Sequence, residues 1–131
     1  MKSYTSQQPT PVAQSYRMVI LGWRPALLNE LMRAHHFKRA QMKRNDTMQI
    51  IAAMLIFGVP LAKDKRRVRI EITSPFRGGF PDPDAPLKSC LDALKRACAI
   101  VDDSAIWCEW SVPQFFKGPK QTVITLEDVE G

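Results

Sequence analysis

The sequence predicts an α+β domain: a small mixed β-sheet of about four strands packed with two to three helices. Three observations lead there. Val68, Ile70 and Ile72 alternate with Arg67, Arg69 and Glu71, the period of a half-buried strand. Leu87, Cys90, Leu91, Leu94 and Cys98 recur at helical spacing, with Lys88, Asp92, Lys95 and Arg96 on the other side. Alternating and helical stretches follow one another as β-α-β-α-β-β, without an internal repeat.

Each element has a local cause. Residues 1–14 are rich in Ser, Gln, Thr and Pro and predict a flexible arm ahead of a single domain over residues 15–131. Tyr16 to Leu21 is β-prone and forms the first strand, broken by Gly22, Trp23, Arg24 and Pro25. Residues 27–57 read as mostly helical. Leu27, Leu28, Leu31 and Met32 begin the pattern, and Asn45 and Asp46 either cap a new helix or sit inside a long one. Ile50, Ile51, Met54 and Leu55 form a stripe assigned to the core, and Gly58 with Pro60 ends the helix. Residues 74–86, with two glycines and four prolines, predict a loop carrying Phe76, Arg77 and Phe80. A helix over Leu87–Ala97 follows, with Cys90 and Cys98 two turns apart on it. Ile106, Cys108, Trp110 and Val112 alternate as a third strand, Phe115–Lys120 reads as a turn, and Val123–Glu127 as a fourth strand. Trp107 and Trp110 fall on opposite strand faces, so at least one is expected in the core.

Composition narrows the function classes. The 131 residues suit one domain, and 45% hydrophobic residues is an ordinary globular share. No apolar run approaches a membrane span and no secretory leader pattern opens the sequence, so a soluble, cytoplasmic protein is expected. The spacings of Cys90, Cys98 and Cys108 match no zinc pattern and predict reduced, packed thiols. A net charge of +6 and a pI near 9.5 favour a polyanionic partner. The basic residues concentrate at Lys38, Arg39, Lys43 and Arg44, at Lys65, Arg66, Arg67 and Arg69, and at Arg77, which are the candidate phosphate contacts.

The most informative segment is acidic. Asp82 and Asp84 flank Pro83, which favours extended chain, where residues two apart project to one side. Two such carboxylates can share a hard cation such as Mg²⁺, and Lys88, four residues on, can reach a phosphate beside them. The competing assignment makes Asp84 a helix N-cap with Pro86 in the first turn, Lys88 a surface charge, and Asp102–Asp103 a turn after the helix.

From Asp82 to Asp103 the sequence resembles the RusA family of Holliday-junction resolvases. An Asp-x-Asp (Asp82, Asp84) is followed by Lys88, then by Asp92-Ala93-Leu94, then by the pair Asp102-Asp103, with no gap. Upstream, a strand, Arg24-Pro25, Leu28-Asn29, a basic helix and a basic strand fit as well, so the similarity spans roughly residues 16–128. The resemblance implies a RusA-like fold and a homodimeric endodeoxyribonuclease, a phosphodiester hydrolase of DNA recombination and repair. It would resolve four-way junctions by paired symmetric nicks, using Mg²⁺ or alternatively Mn²⁺. Asp82, Asp84 and Asp103 would be catalytic metal-binding acids, Asp102 an adjacent helper, and Lys88 the catalytic lysine near the scissile phosphate. One departure stands out: Ala85 occupies the position where the family carries Asn, and Ala cannot orient a metal ligand or a water.

A helix from Pro86 to Ala97 spans about 18 Å. Asp102 and Asp103 therefore meet Asp84 by running back along the helix, or else a two-fold mate supplies its own pair; the sequence leaves both open. Phe76 and Phe80 either wedge into an opened junction or anchor their loop, whereas His35 and His36 are not expected to bind metal. The alternatives to a junction nuclease are a non-catalytic DNA-binding or structural relative and a nuclease for other branched DNA.

Overall fold

The computed structural model describes residues 12–129. Its elements run β1 (Val12–Leu21), α1 (Leu28–Arg33), α2 (His36–Phe57), β2 (Arg66–Ser74), α3 (Asp84–Arg96), β3 (Cys108–Trp110), β4 (Gln114–Lys117) and β5 (Gln121–Val129). The class is α+β as expected, with five strands and three helices among the described residues.

The sheet is mixed. β5 lies between β1 and β2 and is antiparallel to both, with Met18 opposite Ile124 and Val68 opposite Leu126. β3 and β4 both pair with β2 in parallel, β3 at Arg66–Val68 and β4 at Glu71–Ser74. They occupy one edge in two pieces, separated at residues 111–113.

Alternation decides the buried face. Met18, Ile20, Val68, Ile70, Ile72, Ile124 and Leu126 all point to one side, where they form a single core with Ile50, Ala53 and Met54 of α2 and Leu87, Cys90, Leu91 and Leu94 of α3. Arg17, Arg67, Arg69 and Thr125 take the other parity and are exposed or half-buried. The helices thus cover one face of the sheet.

Several boundaries differ from the sequence reading. β1 begins at Val12, inside the expected arm; residues 1–11 of that arm lie outside the described residues. The helical stretch over 27–57 is two helices, because Ala34 and His35 adopt extended backbone angles between them. Asp46 sits inside the longer one and is buried. Leu55 is 80% exposed, so the expected core stripe ends at Met54. α3 starts at Asp84 and stops at Arg96, which leaves Cys98 exposed beyond it with a left-handed φ of 61°. The third strand is shorter than expected, and Gln114–Lys117, part of the expected turn, is a strand held by parallel pairing to β2. Neither Trp107 nor Trp110 is in the core; the buried tryptophan is Trp23. No helix among the described residues is long and apolar enough to cross a membrane.

Candidate functional site

Asp82 and Asp84 sit at the N-terminal end of α3. Pro83 takes helical angles and is the N-cap, so the stretch is not extended as the sequence suggested. Asp82 Oδ1 instead accepts from the Asp84 backbone N–H at 3.1 Å, and the Asp82 carbonyl accepts from Ala85 N–H at 2.9 Å. Asp82 therefore does the capping that the sequence offered to Asp84. Asp84 is the first helical residue, where the positive end of the helix dipole favours a carboxylate. Both acids are exposed. Lys88 follows one turn later, on the same side of the helix as Asp84, and is also exposed.

Asp102 and Asp103 lie at the opposite end of α3. The helix closes with Ala99 N–H donating to the Leu94 carbonyl at 2.9 Å, and Ala99 and Ile100 bury their side chains directly after it. Lys95 Nζ then binds Asp102 Oδ1 at 2.8 Å. The ammonium holds the Asp102 carboxyl down at about 2, with smaller help from the Asp103 N–H and the Ser104 hydroxyl, and Asp102 in turn raises Lys95. Asp103 begins the turn that leads to β3, where its charge adds to burial in pushing the Cys108 thiol up to about 11. The thirteen-residue helix that begins at Asp84 rises about 20 Å before the second acidic group is reached.

The run back along α3 thus does not occur. Among the described residues no three or more His, Cys, Asp or Glu side chains converge to hold a metal ion. The carboxylates of one chain do not fit the expected three-acid Mg²⁺ site: Asp82 and Asp84 come together with Lys88, and Asp102 and Asp103 do not join them.

The candidate DNA contacts divide in two. Arg66 is buried to 2% exposure, which corrects its assignment as a phosphate contact. Its Nε binds Asp128 Oδ1 at 2.7 Å, its Nη1 donates to the Ala99 carbonyl at 2.8 Å, and its guanidinium lies over the Tyr16 ring. Lys65 and Arg67 share Glu109, whose carboxyl they hold below its ordinary value, and Arg67 also meets Glu127. Arg69 and Arg77 are exposed. On α2, Lys38 and Arg44 are exposed and Lys43 is half-buried, and none of the three is in an ion pair among the described residues. Arg39 donates to the Leu31 and Ala34 carbonyls, closing the open end of α1.

The loop aromatics separate as well. Phe76 packs on the core and meets Phe80 and Phe115 edge-on, so it is an anchor. Phe80 stacks on Phe115 and is 52% exposed. His35 Nδ1 accepts from Phe37 N–H at the start of α2. A buried site absent from the sequence reading is Asp46, which accepts from Trp23 Nε1 at 3.0 Å and from Ala26 N–H at 3.2 Å. Burial raises its carboxyl, and the two N–H donors pull it back. A lone carboxylate between Met42 and Ile50 on an otherwise helical pattern was its only signal.

Comparison with protein-family models gives no match to this chain, and comparison with curated proteins gives none either.

Proposed function

We propose that the protein is a structure-specific DNA endonuclease of the RusA type, acting on four-way junctions as a homodimer in the cytoplasm. The grouping of Asp82, Asp84 and Lys88 at the exposed N-terminal end of α3 carries this reading. Two carboxylates beside an ammonium form a place where a phosphodiester and a hard cation are both favoured. Lys88 would hold the phosphate and offset the charge that builds on it, while Asp82, already fixed by the Asp84 N–H, would present its remaining lone pairs outward. Mg²⁺, or Mn²⁺ in its place, would supply Lewis-acid polarisation of the phosphoryl group. Because one chain lacks the third acid at this place, Asp103 of a second copy is assigned to it, and a two-fold dimer would then place two such sites on a two-fold junction.

The separation of Asp103 from Asp84, together with Ala85, favours one other reading, a DNA-binding relative that does not cut. A synthetic four-way junction incubated with Mg²⁺ decides between them. Paired nicks that Asp84→Asn abolishes are expected, whereas tight binding without nicks selects the non-catalytic reading. Faster cutting of flaps or forks than of the junction assigns the protein to other branched DNA.

A further inference from the structure

We propose that the furrow between α2 and α3 is a track for the phosphates of one DNA strand, running from Lys88 to Arg96. Three hollows line this furrow and share their walls. One of about 170 Å³ is bounded by Lys88, Arg39, Lys43 and Asp92 and by apolar side chains of α1. The next, of about 480 Å³, is bounded by Arg39, Lys43, Arg44 and Arg96. A small one between them joins Lys43, Asp92 and Arg96. Lys43 lines all three, so the hollows adjoin along the furrow.

Charge selects the occupant. Lys43, Arg44, Lys88 and Arg96 are in no ion pair among the described residues, whereas Lys65 just ahead of β2 and Arg66 and Arg67 on it are paired with Glu109, Asp128 or Glu127, which leaves Arg69 as the unpaired cation of that strand. Among the described residues, the acids lining these hollows are Asp92 and Asp46, and Asp46 is buried with both oxygens hydrogen-bonded; Asp84 lies beyond the Lys88 end. The cations are spread over adjoining hollows, with Lys88 at one and Arg44 and Arg96 at another, which suits a chain of phosphates better than one small anion. Lys88 and Arg96 are two helical turns apart, about 12 Å, the axial rise of three to four nucleotides in one B-form strand. Arg39 and Lys43 are half-buried where they line the hollows, a setting that suits a narrow strand better than a flat bilayer. Arg96, absent from the contacts read from sequence, is the far end of the track.

The inference rests on the nuclease reading only for the identity of the polyanion, and one experiment separates them. Binding of a fluorescein-labelled four-way junction is measured by anisotropy in EDTA across a salt series. Lys43→Gln/Arg96→Gln is expected to bind roughly 10- to 50-fold more weakly at 0.1 M salt, with a log–log salt slope shallower by about 2. Arg17→Gln/Lys120→Gln removes the same charge elsewhere and is expected to match the unmutated protein. Arg44→Gln, at an exposed position, serves should the furrow pair unfold, with a slope change of about 1. Equal losses in both double variants, no loss in the furrow variant, or furrow-dependent binding to phosphatidylserine vesicles as tight as to DNA overturns the track. Cutting by the unmutated protein with Mg²⁺ is scored separately: furrow-dependent binding without cutting keeps the track and removes the nuclease, and cutting with furrow-independent binding does the reverse.

Discussion

Lys95 Nζ lies 2.8 Å from Asp102 Oδ1 and fixes the Asp102–Asp103 pair to the last turn of α3. Asp82 accepts from the Asp84 N–H at the start of that helix, and Asp84 is its first residue. A rigid helix of about 20 Å therefore holds the two halves of the acidic motif apart within each chain.

Mixed dimers test what that separation means. With the site shared between chains, a dimer of one Asp84→Asn chain and one Asp103→Asn chain has one site carrying both substitutions and one site carrying neither. Mixing the two inactive proteins is then expected to restore single-strand nicking of a four-way junction while paired cutting stays absent. No recovered nicking means that the acids do not combine across a dimer.

Lys95→Met frees Asp102. Its carboxyl is expected to rise from about 2 toward the ordinary value near 4, read by carbonyl NMR titration. Asp102 is depressed in the folded state, so the stabilisation it gives is present above pH of about 4 and is lost as pH falls toward 2. The variant is expected to lose that acid dependence. A titration identical to that of the unmutated protein removes Lys95 as the cause.

Asp46 answers two buried N–H donors at once. Asp46→Ala leaves the Trp23 indole and the Ala26 amide without partners and is expected to cost about 2–5 kcal/mol in urea unfolding. Asp46→Asn keeps one acceptor oxygen and is expected to cost less. Here the folded carboxyl is raised, so its contribution is full below pH of about 4 and declines as pH rises through the folded value. The stability gap between the unmutated protein and Asp46→Asn should shrink with rising pH; a gap that widens contradicts a carboxyl raised by burial.

Arg66→Met removes the hydrogen bonds to Asp128 and to the Ala99 carbonyl. Asp128 is one-third exposed and regains water, while Ala99 is buried, so a loss of about 2–4 kcal/mol is expected. At temperatures where the variant stays folded, its junction affinity is expected to equal that of the unmutated protein. Weaker binding by the folded variant contradicts the structural role.

The readable parts of this fold are those fixed by local periodicity. Val68, Ile70 and Ile72 announce β2, and Leu87 to Leu94 announce α3, because strands and helices repeat burial at fixed intervals. The same rule held a warning about Arg66, whose even position puts it on the face of Val68; the density of neighbouring basic residues hid it. β4 was not readable. Pro113, Gly118 and Pro119 around it resemble turn chemistry, and its strand character depends on pairing with Glu71–Ser74, 43 residues earlier. At the acidic motif the residue types were visible but the geometry was not. Between an extended Asp-Pro-Asp and a capped helix the chain takes the helix, with the Asp84 and Ala85 N–H groups both donating to Asp82.

The central position of β5 has a kinetic consequence. β1 and β2 do not touch each other as paired strands; both are joined through β5. A ribosome that has released residues 12–117 has therefore released β1 without the strand it pairs with, and α2 and α3 with only part of their floor. Sheet closure waits for residues 121–129, and the register Val12 to Val129 closes nearly the full described length in one step. Such long-range pairing slows folding and leaves apolar strands uncovered during synthesis, when the growing chain is most exposed to aggregation and proteolysis.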